Sequence, residues 1–180
     1  MKTTDGQSMN FIYDKFNRLS LSKLLINNIA FSSGYIYGDN TVDGQKTGLI
    51  YGVNLNSIQQ LAYQYDELSR LKNRTINTTT PYVTEYGYLE GAAANTTTTL
   101  VKTIKNGNDT LEYSYDELGN ITAVAKNGTV IETYTYDSLG QLTGATYGGN
   151  TYTYSYDYGG NISGTLTPLY RHGKTPKVFV

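Results

Sequence analysis

The sequence predicts an all-β chain of consecutive antiparallel β-hairpins forming one curved, twisted sheet. Three observations carry that reading. Tyr and Gly each occur 19 times in 180 residues, a composition suited to aromatic-rich strands joined by tight turns. The dipeptide Tyr-Asp recurs at Tyr13-Asp14, Tyr65-Asp66, Tyr115-Asp116, Tyr136-Asp137 and Tyr156-Asp157 in similar flanks. The flanks alternate with a period of two, whereas no segment keeps a helical period long enough to count.

The elements follow in chain order. Phe11 to Leu19 is the first repeat, with Asn17 where later repeats carry Gly; Asn is a natural substitute where the backbone must turn left-handed. Tyr35-Ile36-Tyr37-Gly38 is a degenerate repeat without the Asp, and Tyr63 to Leu71 a full one with Ser69 at the Gly position. Tyr86-Gly87-Tyr88-Leu89 is again degenerate, and the small polar stretch Gly91 to Thr99 reads as a loop or a long hairpin tip. Leu111, Tyr113 and Tyr115 then fall on one strand face. Asp116 opens a turn by offering its carboxylate to a backbone N–H two residues on, and Gly119 supplies the positive φ that closes it. Ile121 to Ala125 returns, and Asn127-Gly128 is a two-residue hairpin turn. Val130 to Tyr136, the turn Asp137 to Gly140, Gln141 to Tyr147, Gly148-Gly149-Asn150 and Thr151 to Tyr156 repeat the cycle.

The spacing supports one repeating unit. Asp116 to Asp137 is 21 residues and Asp137 to Asp157 is 20, whereas Asp14 to Asp66 is 52 and Asp66 to Asp116 is 50. The long intervals are near twice the short ones, so a degenerate repeat belongs inside each. The organisation expected is a lead-in over 1–10, a hairpin array of about seven repeats over 11–166, and an irregular tail over 167–180.

Composition narrows the function. With 14 Lys+Arg against 15 Asp+Glu, the chain lacks the basic footprint of nucleic-acid binding. The absence of Cys removes thiolate nucleophiles, disulfides and Cys-containing zinc sites. The lone His172, in a tail with Pro and Lys, lacks the positioned partners that catalysis needs. No apolar run is long enough to span a bilayer as a helix, and no secretory signal follows Met1. No catalytic residue, metal ligand or cofactor is expected, and the chain is read as non-enzymatic.

Two sets of residues stand out. Asp14, Asn17, Asp66, Asp116, Gly119, Asp137, Gly140, Asp157 and Gly160 occupy the repeated turn. Because each Asp holds the same turn position, turn capping explains them better than catalysis or calcium binding, which needs denser Asp/Asn alternation. Tyr113, Tyr115, Tyr134, Tyr136, Tyr152, Tyr154 and Tyr156 form a stripe on one face. The most regular positions of a repeat serve its packing, and the rings could also stack on sugars. Thr, Ser, Gln and Glu are expected on the opposite face.

The unit Tyr-x-Tyr-Asp-x-x-Gly-x-Leu/Ile at intervals near 20 residues, over about residues 11 to 166, resembles the RHS/YD repeats. That family includes bacterial wall-associated and polymorphic-toxin proteins, the B/C components of insecticidal Tc toxins, and teneurin ectodomains. The resemblance implies a β-hairpin ribbon that spirals into a hollow shell. It also implies neighbouring YD repeats of a longer chain as partners, with a C-terminal toxin or a cell-surface glycan as further ones. Secretion or cell-surface display, as part of an exported bacterial protein, follows from the same resemblance. The self-cleaving core that ends some members has no counterpart here, since the late Asp157 belongs to a repeat turn.

Overall fold

A computed structural model describes residues 7–38 and 47–166. The regular structure in it is β-strand throughout, and the residues fall into two compact units. The first unit holds β1 (Ser8–Tyr13), β2 (Leu19–Ile26), β3 (Ile29–Tyr37), β4 (Ile50–Leu55), β5 (Ile58–Tyr65), β6 (Leu71–Ile76) and β7 (Tyr82–Glu90). β8 (Thr97–Asn106) contributes to both units, its residues Leu100–Thr103 belonging to the second. The second unit continues with β9 (Asp109–Tyr115), β10 (Ile121–Lys126), β11 (Thr129–Tyr136), β12 (Leu142–Tyr147), β13 (Asn150–Tyr156) and β14 (Ile162–Leu166). From β1 to β7 and from β9 to β14, each strand pairs antiparallel with the next in the chain. The predicted all-β hairpin array is the observed fold.

Each hairpin closes in the same way. Tyr13 pairs with Leu19, Tyr65 with Leu71, Tyr115 with Ile121, Tyr136 with Leu142 and Tyr156 with Ile162, and the register slips at or beside each of these pairs. The slip has a local cause. A turn beginning at Asp needs left-handed backbone three residues on, which leaves one residue too many on the returning strand, as in a G1-type bulge. The residues that meet this need are Asn17 (φ 59), Ser69 (φ 63), Gly119 (φ 84), Gly140 (φ 76) and Gly160 (φ 78).

At the other end of the hairpins, two-residue turns carry consecutive positive φ values. They are Asn27-Asn28, Asn56-Ser57, Asn127-Gly128 and Gly148-Gly149, the pattern of type I′ turns, whose twist matches that of the flanking strands.

The core is thin. Among the described residues Val124 is the buried apolar side chain and Thr84 the buried polar one. Among the described residues no second layer covers either face within a unit, so stability is distributed along strand pairs, as in a repeat array.

Three sequence expectations change in detail. β1 begins at Ser8, inside the lead-in expected over 1–10, because Ser8 to Asn10 pair with Leu25 to Lys23 of β2. The loop expected over 91–99 is confined to 91–96. Thr97 to Thr99 already belong to β8, which suits their β-branched side chains. Strands expected to be about six or seven residues long reach nine in β3 and β7 and ten in β8. The expected tail, His172 within it, and residues 39–46 lie outside the described residues.

Candidate functional site: the Tyr-Asp turn edge

All five Asp turns have one hydrogen-bond plan. The Asp N–H donates to the carbonyl four residues on, at 2.9–3.0 Å, and the N–H three residues on donates back to the Asp carbonyl at 2.9–3.1 Å. The side chain adds two more bonds. Asp116 Oδ1 accepts from the N–H of Leu118 at 3.0 Å and of Asn120 at 2.8 Å. Asp14, Asp66, Asp137 and Asp157 make the corresponding pairs with Phe16 and Arg18, Leu68 and Arg70, Leu139 and Gln141, and Gly159 and Asn161. A carboxylate is the suitable cap because charge-assisted acceptance is stronger than that of a neutral oxygen.

The second carboxylate oxygen varies by repeat. Arg18 donates through Nε and Nη2 to Asp14 Oδ2 at 2.7 and 2.6 Å, and Arg70 does the same to Asp66 at 2.7 Å in both contacts. Asn120 Nδ2 reaches Asp116 Oδ2 at 2.9 Å, and Asn161 Nδ2 reaches Asp157 Oδ2 at 3.1 Å.

These contacts shift the acids. Burial pushes the Asp14 and Asp66 carboxyls upward, but the side-chain and backbone hydrogen bonds of Arg18 and Arg70 more than offset it, and both end below the ordinary carboxylate value. The side-chain hydrogen bonds of Asn120 and Asn161 are the largest influence on Asp116 and Asp157, which are also lowered.

A second regularity links successive hairpins. The last Tyr of these Tyr-x-Tyr units donates its hydroxyl to a backbone carbonyl of the preceding hairpin's return strand, at that strand's first residue in every case but Val101, which lies inside β8. Tyr37 reaches Leu19 at 3.0 Å, Tyr65 reaches Ile50 at 2.9 Å and Tyr88 reaches Leu71 at 2.9 Å. Tyr115 reaches Val101 at 2.6 Å, while Tyr136 reaches Ile121 and Tyr156 reaches Leu142, both at 2.8 Å. At Leu19, Ile50, Leu71, Ile121 and Leu142 the acceptor lies beside a register slip, where the ladder is irregular and the phenol supplies the carbonyl with a partner. Tyr37 and Tyr88 take part although their repeats lack the Asp.

The Tyr stripe lies on one face of the second unit. Tyr113 pairs with Val124, which pairs with Glu132; Tyr134 pairs with Ala145, which pairs with Tyr152. A small or aliphatic residue thus separates these rings across the sheet. Tyr134 donates to Glu132, and that bond together with burial pushes its phenol up to about 12. The opposite face carries Ser114, Thr133, Thr151 and Thr153, all exposed.

Sequence reasoning did not single out Arg18 and Arg70. Each guanidinium lies over a ring of the next repeat, at 4.2 Å from the Tyr37 centroid and 4.0 Å from that of Tyr88. Arg18 also donates to the Thr47 carbonyl, and Arg70 to the Thr97 hydroxyl at 2.9 Å. The available signal was Arg four residues after Asp, the spacing of a side chain that folds back across the turn.

Among the described residues no group of three or more His, Asp or Glu is placed to hold a metal ion. Residues 115–150, which hold the Asp116 and Asp137 turns, match the family model described as RHS Repeat. Over those 36 residues the chain is similar to the RHS repeat. Two solved structures share its fold. A crystal structure of TcdB2-TccC3-Cdc42 aligns with a TM-score of 0.68 at 21% identity, covering 94% of this chain and 10% of the other. A crystal structure of TcdB2-TccC3-TEV aligns at 0.65 and 21% identity, covering 92% of this chain and 9% of the other. This chain therefore spans about a tenth of the length of those chains. No curated protein matches it. Its most regular side chains are engaged in turns and in links between hairpins.

Proposed function

We propose that this chain is a non-enzymatic segment of a larger bacterial surface or secreted RHS protein. In that protein it contributes to a β-shell that encloses or displays an effector. The observation that carries the reading is the Tyr ladder. Six phenols donate to carbonyls of the preceding hairpin, so each hairpin is completed by its neighbour and the pattern can be extended without limit. The thin core supports the same reading, because strands with so little buried apolar area suit a wall held by many neighbours. So does the likeness to about a tenth of two much longer chains.

A second reading is an extracellular surface for carbohydrate or protein in cell–cell or cell-wall contact. It is favoured by a cleft of about 410 Å³ on the Tyr face, lined by Tyr113, Glu132, Tyr134 and Tyr136 among others, where rings and a carboxylate could meet a sugar.

Immunoblotting source cells with antibody to these repeats, with sequencing of the flanking genomic region, tests the first reading. A product much larger than 19.9 kDa with further Tyr-Asp repeats and an effector supports it. A product of that size alone refutes enclosure, and a glycan array then tests the second reading.

A further inference from the structure

The repeated turn lets each Asp serve as a control for the others. At Asp14 and Asp66 the outer carboxylate oxygen and the ring of the next repeat's Tyr hold a guanidinium between them. Nε and Nη2 of Arg18 lie 2.7 and 2.6 Å from Asp14 Oδ2, with the guanidinium carbon 4.2 Å from the Tyr37 ring centre. Arg70 repeats this on Asp66 and Tyr88, at 2.7, 2.7 and 4.0 Å. The chemistry suits a planar, delocalised cation, whose fork of donors meets a carboxylate while its face lies on a ring.

The Asp137 turn has the same frame and a different occupant. Oδ1 accepts from the N–H groups of Leu139 and Gln141, both at 2.9 Å, whereas Oδ2 has no hydrogen-bond partner among the described residues. Gln141 stands where Arg18 and Arg70 stand, and its amide lies near Gly160, where an added Cβ would be 3.2 Å from Nε2. Tyr156 keeps the position of Tyr37 and Tyr88. Its hydroxyl donates to the carbonyl of Leu142, the residue after Gln141, just as Tyr37 donates to Leu19 after Arg18 and Tyr88 to Leu71 after Arg70.

A cleft of about 510 Å³ opens at this place, lined by Asp137, Gln141, Thr143, Tyr156, Asp157 and Tyr158 among others. The register-equivalent cleft of the first hairpins, about 400 Å³, is lined by Asp14, Arg18, Ser20 and Tyr37, so there the guanidinium is part of the wall. Leu139 and Tyr158 flank the Asp137 cleft, 81% and 112% exposed. They offer apolar surface to residues adjoining an incoming side chain.

We propose that the Asp137–Tyr156 cleft binds the guanidinium of an arginine side chain supplied by a second polypeptide. The bound group takes the place that the chain's own arginines hold at Asp14 and Asp66. An ammonium lacks the planar fork and fits less well. This inference is independent of the shell reading, since it concerns one cleft in the chain as it stands.

The test is an amide NMR titration of the full chain with Nα-acetyl-arginine amide, alongside Nα-acetyl-lysine amide at matched ionic strength. The expected result is a saturable shift of the Leu139 and Gln141 amides with arginine and a several-fold weaker response to lysine. Gln141→Arg should fill the cleft from within. It is expected to abolish the arginine response without lowering the melting temperature, so the test does not depend on an Asp137 variant that could fail to fold. An equal response to lysine, no saturable response in the parent chain, or an unchanged response in Gln141→Arg overturns the proposal.

Discussion

Removing one phenolic hydroxyl measures how much a hairpin depends on its neighbour. Tyr136→Phe keeps the ring and deletes only the 2.8 Å bond to the Ile121 carbonyl. A typical intramolecular hydrogen bond contributes about 0.5–1.5 kcal/mol net, and a carbonyl left unsatisfied in a buried place costs about 1–3 kcal/mol. Tyr136 is only partly buried, so water can reach part of the freed carbonyl and the loss should be about 1 kcal/mol. For a chain of this size that corresponds to a fall in melting temperature of about 2–4 °C. Urea unfolding followed by circular dichroism reads the loss as a lower midpoint, with Tyr158→Phe as control because Tyr158 is fully exposed. Equal midpoints for Tyr136→Phe and the parent chain would refute the reasoning. So would an equal loss in the Tyr158 control, which would trace the effect to the ring chemistry rather than to the link.

Three further outcomes are expected. Gly119→Ala should destabilise by about 1 kcal/mol, because φ is +84° there and left-handed backbone costs a residue with a Cβ about 1–2 kcal/mol. Space is not the limit, since the added Cβ would lie 3.9 Å from Leu100, and an unchanged urea midpoint would contradict the account. Arg70→Lys should cost about 1 kcal/mol by replacing the fork on Asp66 and the stacking on Tyr88 with a point charge; stability equal to the parent chain would show that the pair is merely superficial. Acid should weaken the array: the turn acids Asp14, Asp66, Asp116 and Asp157 all sit below the ordinary carboxylate value when folded. Depressed folded values mean that these groups stabilise fully above the unfolded value and lose that contribution as pH falls through the folded ones. The urea midpoint should therefore be flat from about pH 5 to 7 and drop below about pH 4, and a midpoint that rises on acidification would contradict the assignment of these acids as turn caps.

Much of this architecture is written locally. Tyr-x-Tyr states a strand, Asp-x-x-Gly a turn and Asn-Gly a return, each through backbone preferences that act within four residues. The links between hairpins are a different matter. The acceptor for Tyr136 is a main-chain carbonyl 15 residues away, and a carbonyl is common to every residue, so no side-chain pattern marks it. The boundary at Thr97 was hidden for a related reason: a run of Thr suits both a polar loop and a strand edge, and Thr97 is engaged by Arg70, 27 residues earlier in the chain.

The most direct test of the shell reading is electron cryomicroscopy of the native product, purified from source cells with antibody to these repeats. The account predicts a hollow β-walled particle in which this segment is one stretch of the wall, its hairpins joined to further repeats at both ends. A small, isolated hairpin array with no wall and no further repeats would contradict it.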